Sequence, residues 1–215
     1  MKLTQRGTLG LAIMAGAIAT AGGIQNGLAT VIASDNAGNS PYVINNSFGG
    51  QNGGTGFGAW SVTNNTGGNL INSVTWSGTT PWFDIYNTST NTSPYSGGDQ
   101  TTATRSINSA LVAGDTLSFS FVLNNSQTNS TVGFWLGDSS NAGLITFYQH
   151  GFDPTTGYLT DASGTTNGIG VPYNYQSVDN VAITLTSSTA YNLYVNSSLV
   201  HSGTISGSIA NPDIS

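Results

Sequence analysis

The chain has 215 residues, only 6% of them charged: Lys2, Arg6 and Arg105 stand against nine aspartates, with no Glu and no Cys. Nucleic acid and anionic lipid require clustered Lys and Arg, and disulfide or thiolate chemistry requires Cys, so none of these is expected here. A cytosolic surface carries charge on roughly a quarter of its residues; this one must owe its solubility to Ser, Thr, Asn and Gly, as suits a protein outside the cell.

The first element is a leader. Lys2 and Arg6 precede an apolar run from Leu9 to Ala19, and small residues follow. That is the layout of a secretory signal peptide, over residues 1–33, with cleavage after Ala21 or after Ala33. The run is shorter than the ~20 residues of a membrane span, so the membrane is a partner only through the leader, if it stays uncleaved. The segment "QRG" before an apolar run also resembles the processing site of type IV pilin-like precursors, cut after Gly7. Against that, no Glu stands nearby, and the glycines would weaken a long assembly helix.

Residues 34–215 read as one all-β domain, an antiparallel sandwich or barrel of short strands between Gly-, Asn- and Ser-rich turns. In the opening stretch "NGGTGFGAWSV", glycine permits tight turns and close backbone approach, and Trp60 is expected to be a structural anchor. "TTPWFDIY" places Trp82 beside Asp84. A turn-rich stretch over 87–102 is expected to be a surface loop. In "TLSFSFVL", Leu117, Phe119, Phe121 and Leu123 alternate with Ser118, Ser120 and Val122. "VGFWLG" sets Val132, Phe134 and Leu136 opposite Trp135. A second turn-rich stretch covers 151–177. "NVAITLT" then aligns Val181, Ile183 and Leu185, and "YNLYVN" aligns Tyr191, Leu193 and Val195 opposite Asn192, Tyr194 and Asn196. Such alternation means that one face is buried and one is wet.

Five stretches resemble one family: "ASDNAGNSPY" with "NGGTGFGAWSV", then "ATRSINSALVAGDTLSFSFVLNN", "STVGFWLGDSSNAGLITFYQHG" and "YLTDASGTTNGIGVPY". They are similar, in the same order, to secreted bacterial surface proteins that often carry PEP-CTERM sorting tails. The resemblance covers about residues 33–208. It implies a concanavalin-like or laminin-G-like jelly-roll β-sandwich exported to the cell surface or extracellular matrix. In that family another strand or two and the sorting tail would follow "SIANPDIS". Their absence leaves two expectations: a domain incomplete at its C-terminus, or a different means of retention.

No catalytic constellation emerges. Glycoside hydrolysis usually needs two carboxylates flanking the scissile bond, and with no Glu nothing pairs two aspartates on a strand face. No G-x-S-x-G elbow supports a Ser-His-Asp set. His150 and His201, the only histidines, lack zinc spacing. Asp138, Asp153 and Asp161 sit in glycine-bearing loops whose oxygens suit calcium, although the same residues are ordinary turn chemistry. Sugars stack on aromatic rings while amides and carboxylates bond their hydroxyls, which makes Trp82, Asp84 and Trp135 the carbohydrate-binding candidates. Aromatics also fill cores. N-glycosylation sequons occur at Asn45, Asn64, Asn87, Asn91, Asn124, Asn129 and Asn196.

The expected role is therefore a non-catalytic, extracellular structural or adhesive protein without a required cofactor, its partners being surface glycans or identical subunits. Two alternatives stand beside it. One is a self-assembling filament subunit joined by an N-terminal helix or by strand donation from about residues 22–48. The other is a soluble lectin-like module.

Overall fold

The computed structural model describes residues 33–64, 70–77, 80–87, 101–109, 111–122, 131–138, 143–150, 157–169, 178–206 and 213–214. They are all-β, with antiparallel strand pairing and no helix among the described residues. None of the described residues forms a helix long and apolar enough to cross a membrane.

One sheet has seven strands. In spatial order they are β1 (Ser61–Asn64), β4 (Thr101–Ser106), β13 (Asp213–Ile214), β6 (Thr131–Gly137), β7 (Gly143–His150), β8 (Gly157–Asp161) and β9 (Gly164–Asn167). A second sheet has four: β12 (Ser198–Thr204), β11 (Ala190–Val195), β10 (Val178–Leu185) and β5 (Thr116–Val122). The pair β2 (Leu70–Ser77) and β3 (Thr80–Asn87) forms a separate hairpin.

The period-2 pattern places the core. Leu117 and Phe119 on β5, Val181, Ile183 and Leu185 on β10, and Tyr191, Leu193 and Val195 on β11 are all buried. They meet Phe134 and Leu136 on β6 and Phe147 on β7. The Phe119 and Phe134 rings touch edge to face at 4.7 Å, so the two sheets face each other as in a sandwich. Phe134 in turn stacks on Phe147 at 5.2 Å. Each such side chain removed from water contributes about 1.5–3 kcal/mol, which is how the described core holds without disulfides.

A second cluster anchors the opening segment. Tyr42, Phe48 and Trp60 surround Phe83 of β3, with ring centroids 4.8, 5.0 and 5.1 Å from it. Trp60 is 2% exposed, the anchor expected of it. The segment is fastened mostly by single bridges: Ser34 exchanges backbone hydrogen bonds with Thr55, and the Gly58 N–H donates to the Ser106 carbonyl.

One stretch expected to be irregular is partly strand. Within 151–177 the chain forms the β8–β9 hairpin, with Asp161 paired to Gly164 across a two-residue turn. The turn chemistry hid it: Asp161 Oδ1 accepts the Ser163 N–H at 2.7 Å, and Gly164 takes φ +107°. The leader residues 1–32 and the loop residues 88–100 lie outside the described residues.

Candidate functional site

Strand alternation on β4 turns Ala103 and Arg105 inward, both nearly inaccessible. The Arg105 guanidinium lies against the Phe57 ring at 4.4 Å and the Trp60 ring at 4.7 Å. Its Nη1 pairs with Asp35 Oδ2, and its Nη2 donates to Asn52 Oδ1 at 2.7 Å and to the Gly58 carbonyl at 2.9 Å. Asp35 is also buried; it accepts the Tyr42 hydroxyl at 2.6 Å, the Asn36 N–H at 2.7 Å and the Asn39 amide at 3.3 Å. Burial, then the bond to Asp35, pushes the Tyr42 hydroxyl above its ordinary pKa.

The glycine-rich opening thereby acquires a reason. Asn52, Phe57, Gly58 and Trp60 all touch one arginine, and a Cβ on Gly54 would come within 2.5 Å of the Ser34 carbonyl oxygen. The turn at residues 34–39 is thus held in place, and the Asp35 carboxylate is fully engaged.

That turn forms one wall of a groove of about 860 Å³. The floor is one part of the outward face of the four-stranded sheet, around Ser118, Ser120, Asn180, Ala182 and Tyr194, and that face is laid down in cross-strand rows. One row is Thr116, Thr184, Asn192 and Ser202. The next is Ser118, Ala182, Tyr194 and Leu199, and a third begins with Ser120 and Asn180. Hydrogen bonds knit the rows: Thr116 to Thr184 at 2.8 Å, Ser202 to Asn192 at 2.8 Å and Ser120 to Asn180 at 2.7 Å. The Asn192 amide donates to the Tyr194 hydroxyl at 3.4 Å, so the phenol leans along its strand. Beside it, Ala182 leaves the floor low. No Lys, Arg, Asp or Glu stands in these rows.

The groove's far end closes on a hairpin turn. Asn196 and Ser197 have φ of 50° and 68°, the signature of a type I′ turn between β11 and β12. The Asn196 amide donates to Asp179 Oδ1 at 2.8 Å, and its Oδ1 accepts the Asn180 N–H at 2.9 Å. Burial raises the Asp179 pKa, partly offset by that amide.

Asp161, proposed above as a calcium ligand, is occupied by the protein itself. Its Oδ2 accepts the Tyr191 hydroxyl at 2.9 Å, the Thr204 N–H at 3.3 Å and His201 Nε2 at 3.4 Å. Burial pushes the carboxyl pKa upward, but its hydrogen bonds from Ser163, Tyr191, His201 and Thr204 outweigh this and hold it below the ordinary value. Burial, then Asp161, drives the Tyr191 hydroxyl far upward. Gly203 lies directly beneath this carboxylate, where a Cβ would overlap Asp161 Oδ2. No group of three or more His, Asp, Glu or Cys suited to a metal occurs among the described residues.

The other candidates fall as follows. Trp135 is half-buried on the outward face of the seven-stranded sheet, in a row with Thr146, Thr160 and Thr165. The adjacent row carries Tyr148 and Tyr158, stacked at 5.1 Å with planes 6° apart. Trp82 and Asp84 lie on β3, but their side chains are outside the described ones, as are those of Asn64, Asn87 and His150. Asp138 follows β6 and is half-buried, at the same end of the seven-stranded sheet as Asp161. Asp153, Asn91, Asn124 and Asn129 lie outside the described residues. Asn45 is exposed with φ 64°, and Asn196 is exposed but engaged by Asp179. The groove around Tyr194 was missed: its signal was the "YNLYVN" alternation, but which strand lies beside β11 cannot be read from it.

Comparison with protein-family models, curated proteins and solved structures returned no match for this chain.

Proposed function

We propose that this protein is a secreted, non-catalytic structural or adhesive component of a cell surface or extracellular matrix, built on a jelly-roll-type sandwich and making glycan contacts. The observation that carries this reading is the chemistry of the two outward sheet faces. Their rows through Trp135 and Tyr194 present hydroxyls, amides and aromatic rings with no Lys, Arg, Asp or Glu, and Asp213 on β13 is the one acidic position that the described register sets on those faces. Such surfaces approach neutral partners with little desolvation cost from charge.

The test is recovery and rebinding. Surface washes of the source cells should contain the chain beginning at Gly22 or Ser34, and the washed protein should rebind to stripped envelopes. A chain retained inside the cell with Met1 intact would overturn the reading.

A second reading, a filament subunit joined by strand donation, draws on β5, an edge of the four-stranded sheet that pairs only with β10 among the described residues. Residues 33–48 are engaged within their own domain through Asp35, Tyr42 and Phe48, which leaves the residues before Ala33 as donor. Negative-stain microscopy showing filaments would favour this reading, and a monodisperse monomer would end it.

A further inference from the structure

We infer that the groove between residues 34–39 and the outward face of the four-stranded sheet is a binding site for a neutral saccharide, with the Tyr194 ring as its stacking surface. The inference rests on the adhesive reading above and assigns it a site separate from Trp135. Its volume of about 860 Å³ lies within the ~300–1,000 Å³ of small-ligand sites.

Charge selects the ligand class. Among the described lining residues the one carboxylic acid, Asp35, is neutralised by Arg105 and holds three further hydrogen bonds from Tyr42, Asn36 and Asn39. The floor offers Ser118, Asn180 and Tyr194 and, among the described lining residues, no cation. Among those residues a phosphate, sulfate or uronate would meet no positive partner, and a cation would meet no unpaired carboxylate. Beneath the groove β10 and β11 are each paired on both sides, so a ligand over them meets side chains, whereas β5, which contributes Ser118 and Ser120, is the edge of its sheet and pairs only with β10 among the described residues. The side chains over β10 and β11 suit a neutral polyol, whose hydroxyls exchange bonds with Ser and Asn while its apolar face lies on an aromatic ring. Tyr194 supplies that ring, and Ala182, its cross-strand neighbour, leaves height for a sugar beside it.

The test is affinity electrophoresis of the secreted chain in native gels containing hydroxyethylcellulose, galactomannan or alginate, alongside the envelope-rebinding assay. The expected result is retardation by at least one neutral polymer and none by alginate. Tyr194→Ala and Ala182→Gln should each weaken it by roughly tenfold, as for the loss of one stacked ring. Tyr194→Phe should keep most of it, and Trp135→Ala should leave it unchanged, with melting temperatures confirming that every variant is folded. Retardation that survives Tyr194→Ala but is lost in Trp135→Ala would overturn the groove assignment and leave the adhesive reading standing. So would alginate-only retardation, or no retardation while envelope rebinding persists. Loss of rebinding as well would sink the adhesive reading itself.

Discussion

Replacing Arg105 with methionine should destabilise the domain strongly. The substitution strands Asp35, a carboxylate 3% exposed, without the cation it faces. Breaking one side of a buried ion pair costs about 3–5 kcal/mol. It also removes bonds to Asn52 and Gly58 and contact with two aromatic rings, each worth about 0.5–2 kcal/mol. Methionine recovers part of that apolar contact, so the net loss should be about 4 kcal/mol. In a chain of this size that is a fall in Tm of about 8–16 °C. Urea unfolding followed by tryptophan fluorescence reads it directly, because Trp60 packs on the guanidinium. Adding Asp35→Asn to the same chain should restore part of the loss by removing the lone charge. A cost below about 1 kcal/mol, or a double variant worse than the single one, would refute the claim that this pair fastens the opening segment.

Other consequences follow from the hydrogen-bond pattern. Gly203→Ala drives a methyl into the Asp161 carboxylate and should cost about 1–3 kcal/mol in thermal unfolding. Ser197→Gly relieves a left-handed backbone position and should raise stability by roughly 0.5–1 kcal/mol, whereas Asn196→Ala should lower it by about 1–3 kcal/mol because Asp179 loses its donor. Acid unfolding should carry the mark of Asp161. Its folded pKa lies below the ordinary 3.8, so its contribution is complete above that value and is lost as pH falls through the folded one. Asp161→Asn should flatten this acid limb. Asp179, shifted upward, acts with the opposite sign, and Asp179→Asn should steepen the limb instead.

How much of this was legible in the sequence depends on distance along the chain. The strands β5, β6, β10 and β11 were readable because one face is dry, and a residue's parity on such a strand decides its burial. Trp60 was readable as an anchor from its glycine-rich setting. The β8–β9 hairpin was obscured because Asp161, Ser163 and Gly164 are turn formers as well as strand members. The role of Arg105 had a signal, a lone cation in a strand of small residues, but its partner Asp35 lies 70 residues away. No local pattern encodes that pairing. The groove was less accessible still: Ser118, Ala182 and Tyr194 become neighbours only through the strand order β11-β10-β5.

The central claim, adhesion through uncharged rows on the sheet faces, is tested most directly by the salt dependence of rebinding to stripped envelopes. Contacts between opposite charges weaken as salt shortens the screening length, whereas stacking and neutral hydrogen bonds do not. The account predicts the same bound fraction from about 0.05 M to about 0.5 M NaCl. A bound fraction that collapses over that range would show that charge holds the protein to its surface, and would contradict the account.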